Sequence, residues 1–237
     1  MEKQEILINS QFALFFDQPI QKPENFWQPL NDYMDKVFDQ TPIILPVPND
    51  ANLNEIPIVQ MKSMSGIYSC NISRGRVDFF HAGEGEQKFS DIKDNLIKEV
   101  SNLFIFFNDK QTKIKRIGFV TRFFMEDEKQ DETISILLND NFKKIHNGTV
   151  YETYIKYVSR DKIKNLKINN YTTIEKFSAN ISKKGNNIKG VLITRDFNTI
   201  PEENYKDEFL LEIDKFIEKS EEKFNLENIK KELWPKI

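Results

Sequence analysis

Three short segments of this chain return in the same order after 108 or 109 residues: Phe15-Phe16 as Phe123-Phe124, Leu30-Asn31-Asp32 as Leu138-Asn139-Asp140, and Asn71-Ile72-Ser73 as Asn180-Ile181-Ser182. Matches this short arise by chance in a chain rich in Asn, Lys, Ile and Phe, so their collinearity is what constrains the fold. It predicts two copies of one unit, with each element of the first half answered in the second.

The local patterns agree with that layout. Residues 5–17 are dominated by β-formers without a breaker and predict a strand that Pro19 and Pro23 end. From 24 to 39, Phe26, Leu30, Tyr33, Met34, Val37 and Phe38 recur at helical spacing. The proline-punctuated stretch 41–57 predicts an ordered loop or a covering flap. Strands follow at 58–63, 67–73 and 76–81, an antiparallel meander turned at Ser65-Gly66 and Arg74-Gly75. A helix from about Ser90 carries the stripe Ile92, Leu96, Val100, Leu103 and Phe107. The second half repeats the order: a strand at 113–125, a helix at 132–144 with Ile134, Leu137, Leu138 and Phe142 inward, and strands at 149–159, 163–169, 172–182 and 188–196. Lys183-Lys184-Gly185-Asn186-Asn187 is the last turn, and Thr199 with Glu202 predicts a capping box for a closing helix with Leu210, Ile213, Ile217 and Phe224 inward.

The expected fold class is therefore α+β: two pseudo-repeats of strand, helix, three or four antiparallel strands, helix, forming one long curved antiparallel sheet with helices on one face. The halves divide at 1–109 and 110–224, form one compact unit, and leave a tail at 225–237 to dock on this chain or another. The element order resembles the TATA-binding-protein-like architecture. Arg116-Ile117-Gly118-Phe119, a mid-chain strand after an aromatic-rich helix, also resembles a sporadically distributed bacterial family of uncharacterised proteins. That family carries an Asn slightly later, where this chain has Val120-Thr121-Arg122-Phe123-Phe124, and the resemblance implies no activity.

Residue types exclude several chemistries. A single cysteine, Cys70, rules out an internal disulfide framework, and its mid-strand setting reads as core. The first residues lack a secretory h-region, and no apolar run reaches the roughly 20 residues that span a bilayer, so a cytoplasmic, soluble chain is expected. The Asn-x-Ser/Thr triplets then carry no sugar. His81 and His146 stand apart without metal-ligand spacing, and phosphate-loop, dinucleotide, kinase and nucleophile-elbow motifs are missing. No catalytic residue, metal or cofactor is assigned, and a binding protein is expected before an enzyme.

The formal net charge is −3, yet residues 141–195 hold twelve basic and three acidic residues, so the rest of the chain carries −12. Alternation from Val150 to Tyr157 places Tyr151, Ile155 and Tyr157 on one strand face and Tyr154 and Lys156 on the other. Aromatics interleaved with cations suit a nucleic-acid groove, which stacks bases while neutralising phosphates. The candidate set is Lys156, Arg160, Lys162, Lys164, Lys167, Lys183, Lys184, Lys189, Tyr151, Tyr154 and Tyr157. The competing expectation is a solvated sheet edge whose lysines discourage aggregation. Phenylalanine doublets at 15–16, 79–80, 106–107 and 123–124 predict a second sheet face that is partly aromatic and needs covering. Three functions follow: first, a non-enzymatic binding or assembly subunit of a bacterial cytoplasmic complex, such as a phage-defence system, with a protein partner or a second copy; second, a nucleic-acid binder using the 141–195 surface; third, a small-ligand enzyme with a pocket between the halves near His81. None involves a membrane.

Overall fold

The computed structural model describes residues 5–46, 54–85, 87–138, 153–164, 166–180, 187–200 and 208–234. At its centre, β1 (Glu5–Phe16) pairs antiparallel with β6 (Ile114–Glu126) from Glu5 opposite Met125 to Phe16 opposite Ile114. Outward from β1 lie β5 (Arg76–Ala82), β4 (Tyr68–Ile72), β3 (Val59–Lys62) and the two-residue β2 (Ile43–Ile44). Outward from β6 lie β9 (Asn187–Thr199), β8 (Leu166–Asn180) and β7 (Tyr154–Ile163), completing one nine-stranded antiparallel sheet.

Helices α1 (Trp27–Tyr33), α2 (Phe89–Asp109), α3 (Gln130–Ser135), α4 (Glu208–Phe224) and α5 (Leu226–Leu233) complete the α+β fold. Alternation along each strand puts Phe12, Leu14, Phe16, Phe79, Phe119 and Phe197 on the face that α2 and α4 cover. The core is an aromatic lattice there. Phe12 meets Phe104, Phe119 and Phe216 edge-on at 6.1, 5.7 and 6.4 Å, and Phe119 meets Phe224 at 4.9 Å. Each buried ring contributes about 1.5–3 kcal/mol of transfer free energy. Cys70 sits in this core, where burial pushes its thiol well above the usual range. Of the four phenylalanine doublets, those in β1, β5 and β6 divide between the sheet faces, but Phe106 and Phe107 lie in α2 and are both buried.

Several boundaries differ from the sequence expectation. The helix expected over 24–39 is a 3₁₀ turn at Pro23–Asn25 followed by α1, which stops at Tyr33. Asp35 and Lys36 turn left-handed (φ 51° and 58°), and the Asn31 side-chain amide satisfies both backbone groups of Phe38, a bonding pattern incompatible with continued helix. The helix expected over 132–144 is α3, ending at Ser135; residues 139–152 lie outside the described residues. The strands expected at 163–169 and 172–182 are one strand, β8, because the turn comes at Lys164 (φ 48°). Asn170 and Tyr171, the break between those two expected strands, are held extended by β7 on one side and β9 on the other. Thr199 ends β9, where its hydroxyl accepts from Ile117 N–H at 3.0 Å and donates to Ile117 carbonyl at 3.2 Å, locking β9 to β6, while Glu202, its expected capping partner, lies outside the described residues.

The tail docks on its own body. The Asn225 side chain caps α5 by accepting from Asn228 N–H at 3.0 Å, and the Trp234 indole donates to Thr133 carbonyl at 3.0 Å. Arg195, counted within the basic segment, points to the helix side and is fully buried. Its guanidinium donates to Thr172 Oγ1 at 2.7 Å and to Glu232 Oε2 of α5 at 2.6 Å. Burying that charge is tolerable only because α5 brings a carboxylate to it. Glu232 is 49% exposed on its side chain, so water softens the pair. Glu232→Ala is expected to cost about 2–3 kcal/mol in denaturant unfolding, and Arg195→Met added to it should recover most of that loss. An unchanged midpoint in the single variant would contradict this role for α5.

Candidate functional site

The sheet face opposite the helices carries the feature most suited to recognition. Cross-strand register aligns its side chains into rows running across the strands. One row reads Arg76, Phe15, Arg116, then Ile200, Lys167 and Lys162, with Ile200 N–H donating to Lys167 carbonyl at 3.1 Å. The next reads Asp78, Ala13, Gly118, Asn198, Asn169 and Arg160. Then come Phe80, Gln11, Val120, Asp196, Tyr171 and Val158, followed by Ala82, Asn9, Arg122, Thr194, Thr173 and Lys156. With Lys62 on β3, the face has eight basic side chains against the carboxylates of Asp78, Glu126, Glu175 and Asp196. The acidic excess of the chain therefore lies elsewhere.

Aromatic rings hold several of these cations. The Phe15 ring has the Arg116 guanidinium carbon 4.7 Å from its centroid and that of Arg76 at 5.7 Å, while Lys156 Nζ stands 5.2 Å from the Tyr171 ring. Arg76 also pairs with Asp78 at 2.8 Å, and Gln11 donates to that carboxylate at 2.9 Å. Arg122 donates to Asn9 Oδ1 at 3.0 Å. Ala13 and Gly118 leave the middle low, with Phe15 and Arg116 rising on one side. Near one end of the strands the face turns apolar: Phe124 packs edge-on against Phe177 at 5.9 Å over Gly190, where a Cβ would lie 2.1 Å from Met125 carbonyl.

Asp196 is the central carboxylate. Burial raises its pKa above the usual value, opposed by the Asn198 amide, which donates at 2.7 Å, and by the charges of Arg116, Lys156 and Arg122. An acceptor-only carboxylate fixes the Asn198 amide with nitrogen toward Asp196, so Asn198 Oδ1 is left as a buried acceptor without a partner.

The structure divides the sequence-derived set. Tyr154, Lys156, Arg160, Lys162 and Lys167 share the open face; Tyr157 and Lys189 belong to the helix side, and Lys164 sits in the β7–β8 turn. Tyr157 donates to Glu232 Oε1 at 3.2 Å and so belongs with the α5 contact. Tyr151, Lys183 and Lys184 lie outside the described residues. Sequence reasoning missed Arg76, Arg116 and Arg122, because charge was counted along a window of chain. The readable signal was alternation in β6, where Arg116, Gly118, Val120 and Arg122 interleave with the buried Ile117, Phe119, Thr121 and Phe123.

His81 is buried against Tyr68, ring centroids 5.1 Å apart, and burial lowers its pKa. Among the described residues, a cavity of about 120 Å³ between Leu7, Phe89 and Phe224 and one of about 380 Å³ beside Trp234 are both lined without it. Among the described residues no cluster of metal-ligating side chains occurs and no helix is long and apolar enough to cross a membrane. No protein-family model matches this chain, and a search of curated proteins found no match.

The Asp196 geometry carries a stability consequence. A carboxyl with a raised folded pKa binds its proton more readily folded than unfolded, so its favourable contribution is present at low pH and lost as pH rises through the folded value. Asp196→Asn is expected to raise the denaturation midpoint at neutral pH, with the gap to the unaltered chain closing toward about pH 4. A gap that widens on acidification would contradict the assignment.

Proposed function

We propose that this protein is a binding module that takes a single-stranded nucleic acid on the open face of its sheet. One observation carries this: cations from β5, β6, β7 and β8 converge with Phe15 and Tyr171 on the face that no helix of the described residues covers. Such a surface neutralises phosphates while offering rings and amides to bases, and it needs no catalytic residue. Concentrating positive charge on one face explains how an acidic chain attracts a polyanion. The strand order around β1 and β6 supports a duplicated unit with TATA-binding-protein-like order; that likeness bears on architecture, not on activity.

Fluorescence anisotropy with a labelled 20-nucleotide single strand tests the proposal. If the face neutralises about five phosphates, affinity should fall about 100-fold between roughly 50 and 200 mM salt. Undetectable binding at low salt, or binding insensitive to salt, would overturn it. A second function, assembly with a protein partner in a bacterial complex, is favoured by the opposite margin, where Ile43 and Ile44 of the edge strand β2 are 50% and 53% exposed. Light scattering should then show association that Ile43→Lys abolishes; a monomer at all concentrations and no captured partner would remove it.

A further inference from the structure

The cations of the open face differ in how far they are already engaged. Arg76 pairs with Asp78 at 2.8 Å and shares the Phe15 ring with Arg116, Arg122 donates to Asn9 Oδ1, and Lys167 is engaged as well. Among the described residues, Lys62, Arg160 and Lys162 have neither an ion pair nor an aromatic contact, and Lys156 rests only on the Tyr171 ring. Three of these four belong to β7, while Lys62 stands alone on β3. The open side of β7 reads Tyr154, Lys156, Val158, Arg160 and Lys162, every one exposed, Tyr154 to 61%. β7 is also the outermost strand on its side of the sheet. Beyond its ladder to β8, its backbone has one further partner among the described residues, the Asp161 carboxylate that accepts from Lys162 N–H at 2.8 Å. Such an edge presents a row of unpaired N–H and C=O groups.

Two residues of an extended protein chain and one nucleotide of an extended single strand contain the same number of backbone bonds, so a nucleic-acid backbone laid beside β7 repeats in step with it. Arg160 and Lys162 are one such repeat apart, about 6.8 Å, and Lys156 is two repeats before Arg160. Outward N–H groups suit phosphates. Outward carbonyls beside a polyanion have no donor to receive, and losing their water unpaired is costly. The ribose 2′-hydroxyl is such a donor, and deoxyribose lacks it.

Resting on the single-strand reading above, we infer that the bound strand is RNA and that its backbone follows β7, along the corner between the open face and the edge of the sheet. Phosphates meet Lys156, Arg160, Lys162 and the outward N–H groups, while 2′-hydroxyls donate to the outward carbonyls. From Tyr154 to Lys162 the track is about 27 Å long. It holds about four nucleotides, at the lower end of single-strand sites on β-sheet surfaces. Bases turn inward over the face, where Tyr171, directly across from Val158, is the first ring they reach.

Anisotropy with three labelled strands of one pyrimidine sequence, RNA, DNA and 2′-O-methyl RNA, tests the sugar contact. RNA should bind at least about fivefold more tightly than either of the others, the worth of one net hydrogen bond. Two double variants test the path. Arg160→Gln with Lys162→Gln removes an arginine and a lysine from β7; Lys62→Gln with Arg122→Gln removes the same residue types from the same face, away from β7. The first pair should lower RNA affinity at least about 20-fold and reduce the salt slope by about 1.4; the second should cost less than about threefold. Thermal denaturation shows whether each variant is folded, and Lys162→Gln alone, an exposed position, gives the same direction should the first pair fail to fold. DNA bound as tightly as RNA, equal losses, or the larger loss from the second pair would overturn the β7 track while leaving the single-strand reading intact. So would a first pair that self-associates in light scattering yet binds RNA as before, since these cations would then serve only to protect the edge. No binding of any of the three strands by the unaltered chain would overturn that reading and the track with it.

Discussion

Antiparallel pairing of β1 with β6 is the contact on which the rest depends. Each strand is the innermost of its half, and along their joint length Phe12 meets Phe119 on the helix side while Phe15 meets Arg116 on the other. The two faces of one pair thus set both the core and the proposed recognition surface. A one-residue slip in this register would send the phenylalanines to solvent and the arginines into the core, so burial of the aromatic lattice specifies the cationic face as a consequence. The bulge between Leu7 and Asn9 is tolerated because it precedes the run where the lattice is densest.

Charge is then sorted by face instead of by chain segment. Of the basic residues concentrated in 141–195, Arg195 is drawn inward and neutralised by α5, and Lys176 reaches Asp131 of α3 at 2.7 Å, both on the helix side. Those that stay on the open face are joined by arginines from the first half and from β6. The result is an assembled surface to which β5, β6, β7 and β8 each bring at least one cation. Asp196 sits half-buried in the middle, its charge attracted by those of Arg116, Lys156 and Arg122.

Much of the framework was legible from sequence because it rests on local signals. The meander of β3, β4 and β5, the long strands β1 and β6 and the amphipathic α2 all follow from alternation, turn dipeptides or a helical stripe. The failures came where a distant contact overrode a local signal. The break expected at 170–171 is absent because two neighbouring strands satisfy its backbone, and the Thr199 hydroxyl is claimed by Ile117 across the sheet. The candidate surface was half legible for a related reason. Lys156, Arg160, Lys162 and Lys167 are close in sequence, whereas Arg76 and Arg116 meet only through Phe15, whose place between them is a matter of register across three strands. Window counting has no access to such a contact.

The central claim is that nucleic acid lies on the open face and not against the helices. Ultraviolet cross-linking of the intact protein to a single-stranded oligonucleotide carrying photoreactive bases, followed by peptide mapping, tests it most directly. Cross-links at Phe15, Tyr171 or Tyr154, on β1, β8 and β7, are predicted. Cross-links confined to α2, α4 or α5 would contradict the account.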